Sequence, residues 1–125
     1  MKIGDVYRWE TDQVKGRDKR MKMQIFIRPQ DEADLNIFMF INSEAWYKDL
    51  KLLQRDYPSF LDYDSYVSCN SVSRYSNEYL KLQKLEHLGC ISQADLKSLR
   101  DAIIAAETMV TCDMNMVCKA LAAIL

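Results

Sequence analysis

The sequence predicts a small α+β protein of mainly β structure, in which helices pack on a curled antiparallel sheet that is closed or nearly closed. Two observations predict this fold. Short runs with the two-residue alternation of strands occupy the early part of the chain, and the strongest helical signals come late. With 125 residues, 49% of them hydrophobic, the chain can form one real core, so we expect a single domain over residues 1–125.

The first predicted strands lie near the amino terminus. Residues 5–10 and 21–28 alternate with the period of a half-buried strand. In the first of them, Tyr7 and Trp9 fall on the same face. Residues 35–41 form a nearly continuous apolar run, which is typical of a central strand buried on both faces.

A helix is predicted next, over residues 43–57. Ser43 is a suitable N-cap, because its hydroxyl can accept a hydrogen bond from a free backbone N–H of the first turn. Trp46, Leu50 and Leu53 would form the apolar face of this helix.

The segment that follows is predicted to return to β structure. Residues 63–75 read as one strand of β-branched and aromatic residues with polar partners. Residues 76–80 indicate a short turn or helical link. Residues 81–88 fit both periods, and we predict a strand there.

The clearest helical signal begins at Ser92, a predicted N-cap with Asp95 three residues on, which resembles a capping box. The apolar stripe of this helix consists of Leu96, Leu99, Ile103 and Ala106. Residues 109–125 predict a further C-terminal helix, with 111–115 as the expected point of any break. Its apolar residues should pack either on the chain's own sheet or across a two-fold dimer interface.

Composition limits the classes of function. Lys and Arg (17) nearly balance Asp and Glu (18), which argues against a general nucleic-acid coat but allows one local basic surface. No apolar run reaches the length of a membrane span, and no signal peptide precedes the first strand. The sequence therefore predicts a cytoplasmic protein without membrane contact.

The usual catalytic and metal-binding motifs are absent from the sequence. There is no P-loop, no GxGxxG and no GxSxG elbow. Cys69, Cys90, Cys112 and Cys118 lack CxxC spacing, so we predict buried, reduced thiols, no zinc site and no cofactor. The single histidine, His87, is predicted to be a partly packed surface residue. A nucleophilic Cys–His pair is an alternative that nothing local supports.

A run of cations between the first two strands is the most informative feature of the chain. Its members are Lys15, Arg17, Lys19, Arg20 and Lys22. Two interpretations remain open at this point. The run is either a solvated hairpin loop or a phosphate-binding loop that holds a nucleic-acid backbone while nearby aromatic rings stack on bases.

Three blocks of sequence, in the right order, resemble the MazF/PemK/Kid family of toxin endoribonucleases. The opening "GDVYRW", the basic loop and the second strand are similar to the start of that family. Residues 64–80, "DSYVSCNSVSRYSNEYL", are similar to its later strand, and residues 87–106 to its closing helix. The resemblance covers roughly residues 3–108 and leaves 109–125 as an added C-terminal helix.

This resemblance implies an SH3-like barrel of the CcdB/MazF type, a homodimer, and metal-independent cleavage of single-stranded RNA. It also implies a type II toxin–antitoxin system, with an antitoxin protein as partner. Lys22 or Arg20 would stabilise the transition state, and Ser43 would contact the scissile phosphate. The residues that the resemblance assigns to the RNA backbone are Lys15, Arg17, Lys19 and Arg74.

The sequence departs from the family at two positions of the later strand. Ser68 and Asn70 stand where some members have an arginine and an aspartate. Serine cannot supply a cation, and asparagine cannot act as a general base. Two alternatives follow: a catalytically degenerate member of the same fold that binds nucleic acid or protein, and a gyrase poison of the CcdB type that acts through its C-terminal helix.

Overall fold

The structure is a computed structural model that describes residues 1–11, 20–28 and 34–125, with only the backbone of Arg20. The strands are β1 (Asp5–Thr11), β2 (Arg20–Arg28), β3 (Leu35–Asn42), β4 (Leu50–Leu52), β5 (Ser65–Val67), β6 (Ser73–Ser76) and β7 (Glu86–Cys90). The helices are α1 (Asn77–Lys81), α2 (Gln93–Ala106) and α3 (Thr111–Ala122).

All seven strands belong to one sheet with the order β4-β5-β3-β2-β1-β7, and β6 also pairs with β3. Every neighbouring pair is antiparallel. The start of β3 pairs with β6, whereas its end pairs with β5. The predicted mainly β fold with a curled antiparallel sheet and C-terminal helices is therefore confirmed. The sheet is a half-barrel, because its edge strands β4 and β7 are not paired with each other in the described part of the chain.

The sheet buries apolar side chains on both faces. One face forms the main core, together with α2 and α3; it includes Val6, Ile25, Ile27, Ile37, Met39, Leu99, Ile103, Val117 and Leu121. The other face carries a smaller aromatic cluster of Trp9, Phe26, Phe38, Tyr75 and Leu80. Because successive side chains of a strand point to opposite faces, the apolar run of β3 supplies both clusters, as predicted.

The predicted helix over residues 43–57 is wrong. This segment forms a turn, strand β4 and a short 3₁₀ turn over Gln54–Asp56, and Trp46 is 70% exposed. The Asp49 carboxylate accepts hydrogen bonds from the backbone N–H groups of Trp46 (3.0 Å) and Cys69 (3.1 Å). Pairing of β4 with β5 stabilises the strand conformation of this segment more than its helical pattern could stabilise a helix. A short amphipathic helix is only marginally stable unless its apolar face packs on the rest of the protein.

The single strand predicted over residues 63–75 is two strands, β5 and β6. They are separate because they pair with opposite ends of β3, so residues 68–72 must bridge between them. The predicted link over residues 76–80 is the short helix α1. The strand predicted over residues 81–88 begins only at Glu86, as β7.

Helix α2 agrees closely with its prediction. Ser92 is the N-cap, and its hydroxyl oxygen accepts a hydrogen bond from the backbone N–H of Asp95 (3.2 Å). All four residues of the predicted apolar stripe are buried in the main core.

The added C-terminal helix is confirmed as α3, but the break is misplaced. It falls at Glu107, which ends α2 in the left-handed region with a φ of 57°, and residues 111–115 lie inside α3. Val117 and Leu121 are completely buried in the chain's own main core. The first of the two expectations for this tail, packing on its own sheet, is therefore confirmed.

The Tyr57 hydroxyl fixes the start of α2. It donates to Asp95 Oδ2 (2.5 Å) and accepts from the backbone N–H of Ser92 (3.1 Å). Burial raises the pKa of Tyr57, and the hydrogen bond to Asp95 raises it further.

Tyr57→Phe should lower the free energy of unfolding by about 1–3 kcal/mol, because the Ser92 N–H and the Asp95 carboxylate lose a partner. The pKa of Tyr57 is higher in the folded state, so its contribution is complete below its ordinary pKa of about 10 and is lost as the pH rises through the folded pKa. Urea unfolding at pH 7 and above pH 10 measures both effects. Tyr63→Phe, at an exposed tyrosine, is the control and should change little.

Candidate functional site

A polar cleft of about 390 Å³ lies at the end of the sheet where β2 begins and β3 ends. We call it the hairpin-end cleft. Residues 12–19, which lie outside the described residues, join the paired residues Thr11 and Arg20, so the basic segment leaves and rejoins the sheet at this end. The cleft is lined by Arg8, Met21, Lys22, Met23, Ile41, Ser43, Phe60, Asp62, Tyr63 and Ser65.

Arg8 brings a guanidinium to the cleft from β1. Its Nε (3.1 Å) and Nη2 (2.6 Å) both donate to Glu86 Oε1 of β7. These bonds use two of the five donors of the guanidinium. Arg8 is thus held in place by one carboxylate oxygen and keeps further donors for a ligand.

Lys22 also lines the cleft, but its amine has partners within the protein. Lys22 Nζ donates to Asn42 Oδ1 (2.6 Å) and lies 5.7 Å from the centroid of the Phe40 ring. Asn42 and Phe40 alternate with Ile41 along β3, so they belong to the opposite face of the strand. The structure therefore brings Lys22 and Ser43 to the lining of one cleft, with the Lys22 amine drawn towards the face that carries the aromatic cluster.

Two aromatic side chains, Phe60 and Tyr63, are in the described lining of the cleft. Tyr63 is 58% exposed, and Trp46 and Tyr47 are exposed in the segment that follows the end of β3. Phe60 is partly buried against the main core and lies close to Gly89 of β7, where a Cβ atom would be only 2.8 Å from its Cε1. The cleft therefore combines one packed aromatic ring with an accessible ring.

The other residues assigned to RNA binding are placed as follows. Lys15, Arg17 and Lys19 lie outside the described residues, as does the side chain of Arg20. Arg74 lies on β6, and its Nη2 forms an ion pair with Asp113 in the first turn of α3. This contact links α3 to the sheet, so Arg74 has a structural partner that the sequence did not reveal.

Ser68 and Asn70 contact each other between β5 and β6. The Ser68 hydroxyl donates to Asn70 Oδ1 (2.6 Å). Neither residue lines the hairpin-end cleft. Hydrogen bonding between these two side chains stabilises the bridge between the strands.

The prediction of buried thiols holds only for Cys69, since Cys90 and Cys112 are exposed; all four cysteines are free. Burial raises the pKa of Cys69 to about 11, and burial also raises the pKa of Cys90, so neither thiol is activated.

His87 is a half-exposed surface residue, as predicted, and its Nε2 lies 3.5 Å from Asp5 Oδ1.

Sequence reasoning did not select three residues of the cleft, Phe60, Asp62 and Tyr63, as site residues. They lie in a turn-rich segment, where acidic and aromatic residues are ordinary. No local pattern could have marked them, because the contact of Phe60 with Gly89 joins residues far apart in the sequence.

Fold and cleft together define a small α+β protein with a curled antiparallel sheet and a polar cleft whose described lining includes two aromatic residues. No family model matches the chain, and no curated protein is significantly similar to it. Among the described residues, no helix is both long and apolar enough to cross a membrane, and no group of three or more His, Cys, Asp or Glu side chains could hold a metal ion.

Proposed function

We propose that this protein binds single-stranded RNA at the hairpin-end cleft. The observation that carries the proposal is that two cations and an exposed aromatic ring line one cleft at the end of the sheet. Among the described residues, the cations are Arg8 and Lys22. The exposed ring in the lining is that of Tyr63, and two further exposed rings, Trp46 and Tyr47, follow the cleft residue Ser43 in the sequence.

The phosphate contacts would begin at Arg8. Its guanidinium is oriented by Glu86 and still has donors available, and guanidinium groups suit phosphate oxygens because two donors can bind in parallel. The protein has a net charge of only −1, so attraction of a polyanion depends on this local group of cations.

The exposed rings favour a single strand over a duplex. An unpaired base can stack on an aromatic side chain, and such stacking is worth about 1–3 kcal/mol per base. Bases inside a duplex are stacked on each other and cannot make this contact. A groove with cations and accessible aromatic rings is therefore suited to unpaired nucleotides.

A second candidate function, the endoribonuclease toxin implied by the family resemblance, is favoured by the position of Lys22 and Ser43. Both line the hairpin-end cleft. In the reaction the ribose 2′-oxygen would bond to phosphorus, the P–O5′ bond would break, and the 2′-OH proton would pass through solvent to the departing 5′-oxygen, leaving a 2′,3′-cyclic phosphate and a 5′-OH. Lys22, on exchanging the Asn42 oxygen for phosphate, would stabilise the pentavalent phosphorane, and the Ser43 hydroxyl would donate to a phosphate oxygen. Such a toxin would act as a homodimer and have an antitoxin protein as partner.

Salt dependence tests the binding proposal. Affinity for a fluorescein-labelled single-stranded RNA of ten nucleotides, measured by anisotropy, should fall with salt with a log–log slope near −3 if about four phosphates are neutralised. Replacing Arg17 and Lys19 by alanine should flatten the slope by about one to two units. The matched control replaces Lys97 and Lys119, exposed on α2 and α3, and should leave the slope unchanged. Binding that is absent or independent of salt would disprove the proposal.

The Lys22→Ala variant separates the two candidate functions. If the protein is an endoribonuclease, the wild type cleaves a panel of RNAs without metal, and Lys22→Ala loses cleavage while most of the binding remains. Binding by the wild type without cleavage would favour the non-catalytic candidate.

A further inference from the structure

Among the described residues, Asp62 is the only acidic residue that lines the hairpin-end cleft. Within the described part of the chain it has no hydrogen-bond or ion-pair partner. The cations beside it do have partners, since Arg8 pairs with Glu86 and Lys22 with Asn42. The Asp62 carboxylate is therefore available to a ligand.

Neighbouring carboxylates are used by the fold, in contrast to Asp62. Asp64 Oδ1 accepts from the backbone N–H of Gln54 (2.8 Å), and this bond lowers the pKa of Asp64. Asp49 accepts from the backbone N–H groups of Trp46 and Cys69. Asp62 makes no comparable bond to the described residues.

An acid beside cations that are proposed to bind phosphate cannot itself serve the RNA backbone, because a carboxylate repels phosphate and has only acceptor oxygens. It can serve a base. On its Watson–Crick edge, unpaired guanine presents two adjacent donors, N1–H and N2–H₂, which match the two oxygens of one carboxylate. Adenine and cytosine present one donor beside an acceptor. Uracil presents one donor between two acceptors, which the carboxylate repels.

We propose that Asp62 makes the hairpin-end cleft selective for guanine in single-stranded RNA. The base enters beside the packed ring of Phe60, stacks on the exposed ring of Tyr63 and is held through N1–H and N2–H₂ by the Asp62 carboxylate. Ser43 and Arg8 lie in the lining of the same cleft for the adjoining phosphate. This inference rests on the proposed function and adds the identity of the base.

The test uses nine-nucleotide RNAs of sequence U₄-X-U₄, in which X is G, A, C or U, with affinity measured by fluorescence anisotropy. The oligonucleotide with G should bind at least about five-fold more tightly than that with U, since one good bidentate contact is worth about 1–3 kcal/mol of discrimination. Asp62→Asn should remove this preference, because an amide offers one acceptor and one donor. The same variant should gain affinity for A or C, whose edges complement an amide. Glu78→Gln on α1 changes the net charge equally and should keep the preference for G.

The outcomes separate this inference from the proposed function. Equal binding of all four RNAs, with normal salt dependence, would overturn the role of Asp62 and leave RNA binding intact. A preference for G that persists in Asp62→Asn would also overturn it. If none of the four RNAs binds, both the inference and the proposed function are wrong. Circular dichroism of each variant confirms that it is folded.

Discussion

Leu121→Ala is expected to lower the free energy of unfolding by about 2–5 kcal/mol, the usual cost of truncating a buried leucine. Leu121 is completely buried, and with Val117 it fixes α3 to the main core.

Removal of all residues after Ala106 should have a larger effect. It would uncover the core face that α3 covers and leave Arg74 without Asp113, so the shortened chain should lose cooperative unfolding.

Urea denaturation followed by circular dichroism measures both changes. The matched control is Leu82→Ala, because Leu82 is 84% exposed and its replacement should change stability by less than about 0.5 kcal/mol. A shortened chain that unfolds with the wild-type midpoint would show that α3 contributes nothing to the core. Light scattering on the same samples tests the predicted homodimer.

Trp9→Ala is expected to cost about 3–5 kcal/mol, the usual cost of truncating a buried aromatic residue to alanine. Trp9 is 1% exposed in the aromatic cluster and meets the rings of Phe38 (5.2 Å) and Tyr75 (5.1 Å) edge to face. Its indole N–H also donates to the Tyr79 hydroxyl (3.3 Å). The variant therefore loses packing, ring contacts and a hydrogen bond at the same time.

The second tryptophan provides a control within the same chain. Trp46 is 70% exposed, so Trp46→Ala should leave the unfolding curve unchanged. If the proposed function is right, this variant should bind the single-stranded RNA more weakly, because one stacking surface is lost. Acrylamide should quench the fluorescence of Trp46 and leave that of Trp9 largely unaffected. Equal loss of stability in both variants would contradict the burial described for them.

The candidate site was partly accessible from sequence. The run of cations between β1 and β2 and the residues Lys22 and Ser43 could be selected from composition and resemblance, and the last two line the cleft. The partners of these side chains could not be selected in that way. The contacts of Lys22 with Asn42 and of Arg8 with Glu86 depend on which strands become neighbours in the sheet. The same is true of the position of the Asp62 carboxylate in the cleft.

The sequence by itself determined β1, β2, β3 and α2, because each carries its own signal. Alternation places apolar side chains on one face of a strand. The Ser92 cap marks where α2 begins, and the apolar stripe marks the face that it buries. These signals are local, so no distant residue is needed to interpret them.

Only the tertiary structure decided the conformation of residues 43–57 and 63–75. The helical spacing of Trp46, Leu50 and Leu53 was outweighed when β5 offered Leu50–Leu52 a pairing partner, and the two ends of β3 divided 63–75 into β5 and β6. Short segments have weak local preferences of about a kcal/mol or less per residue. The stabilisation from backbone hydrogen bonds and burial against distant strands exceeds that preference. It cannot be predicted from one segment of the sequence, because the partner strands lie elsewhere in the chain.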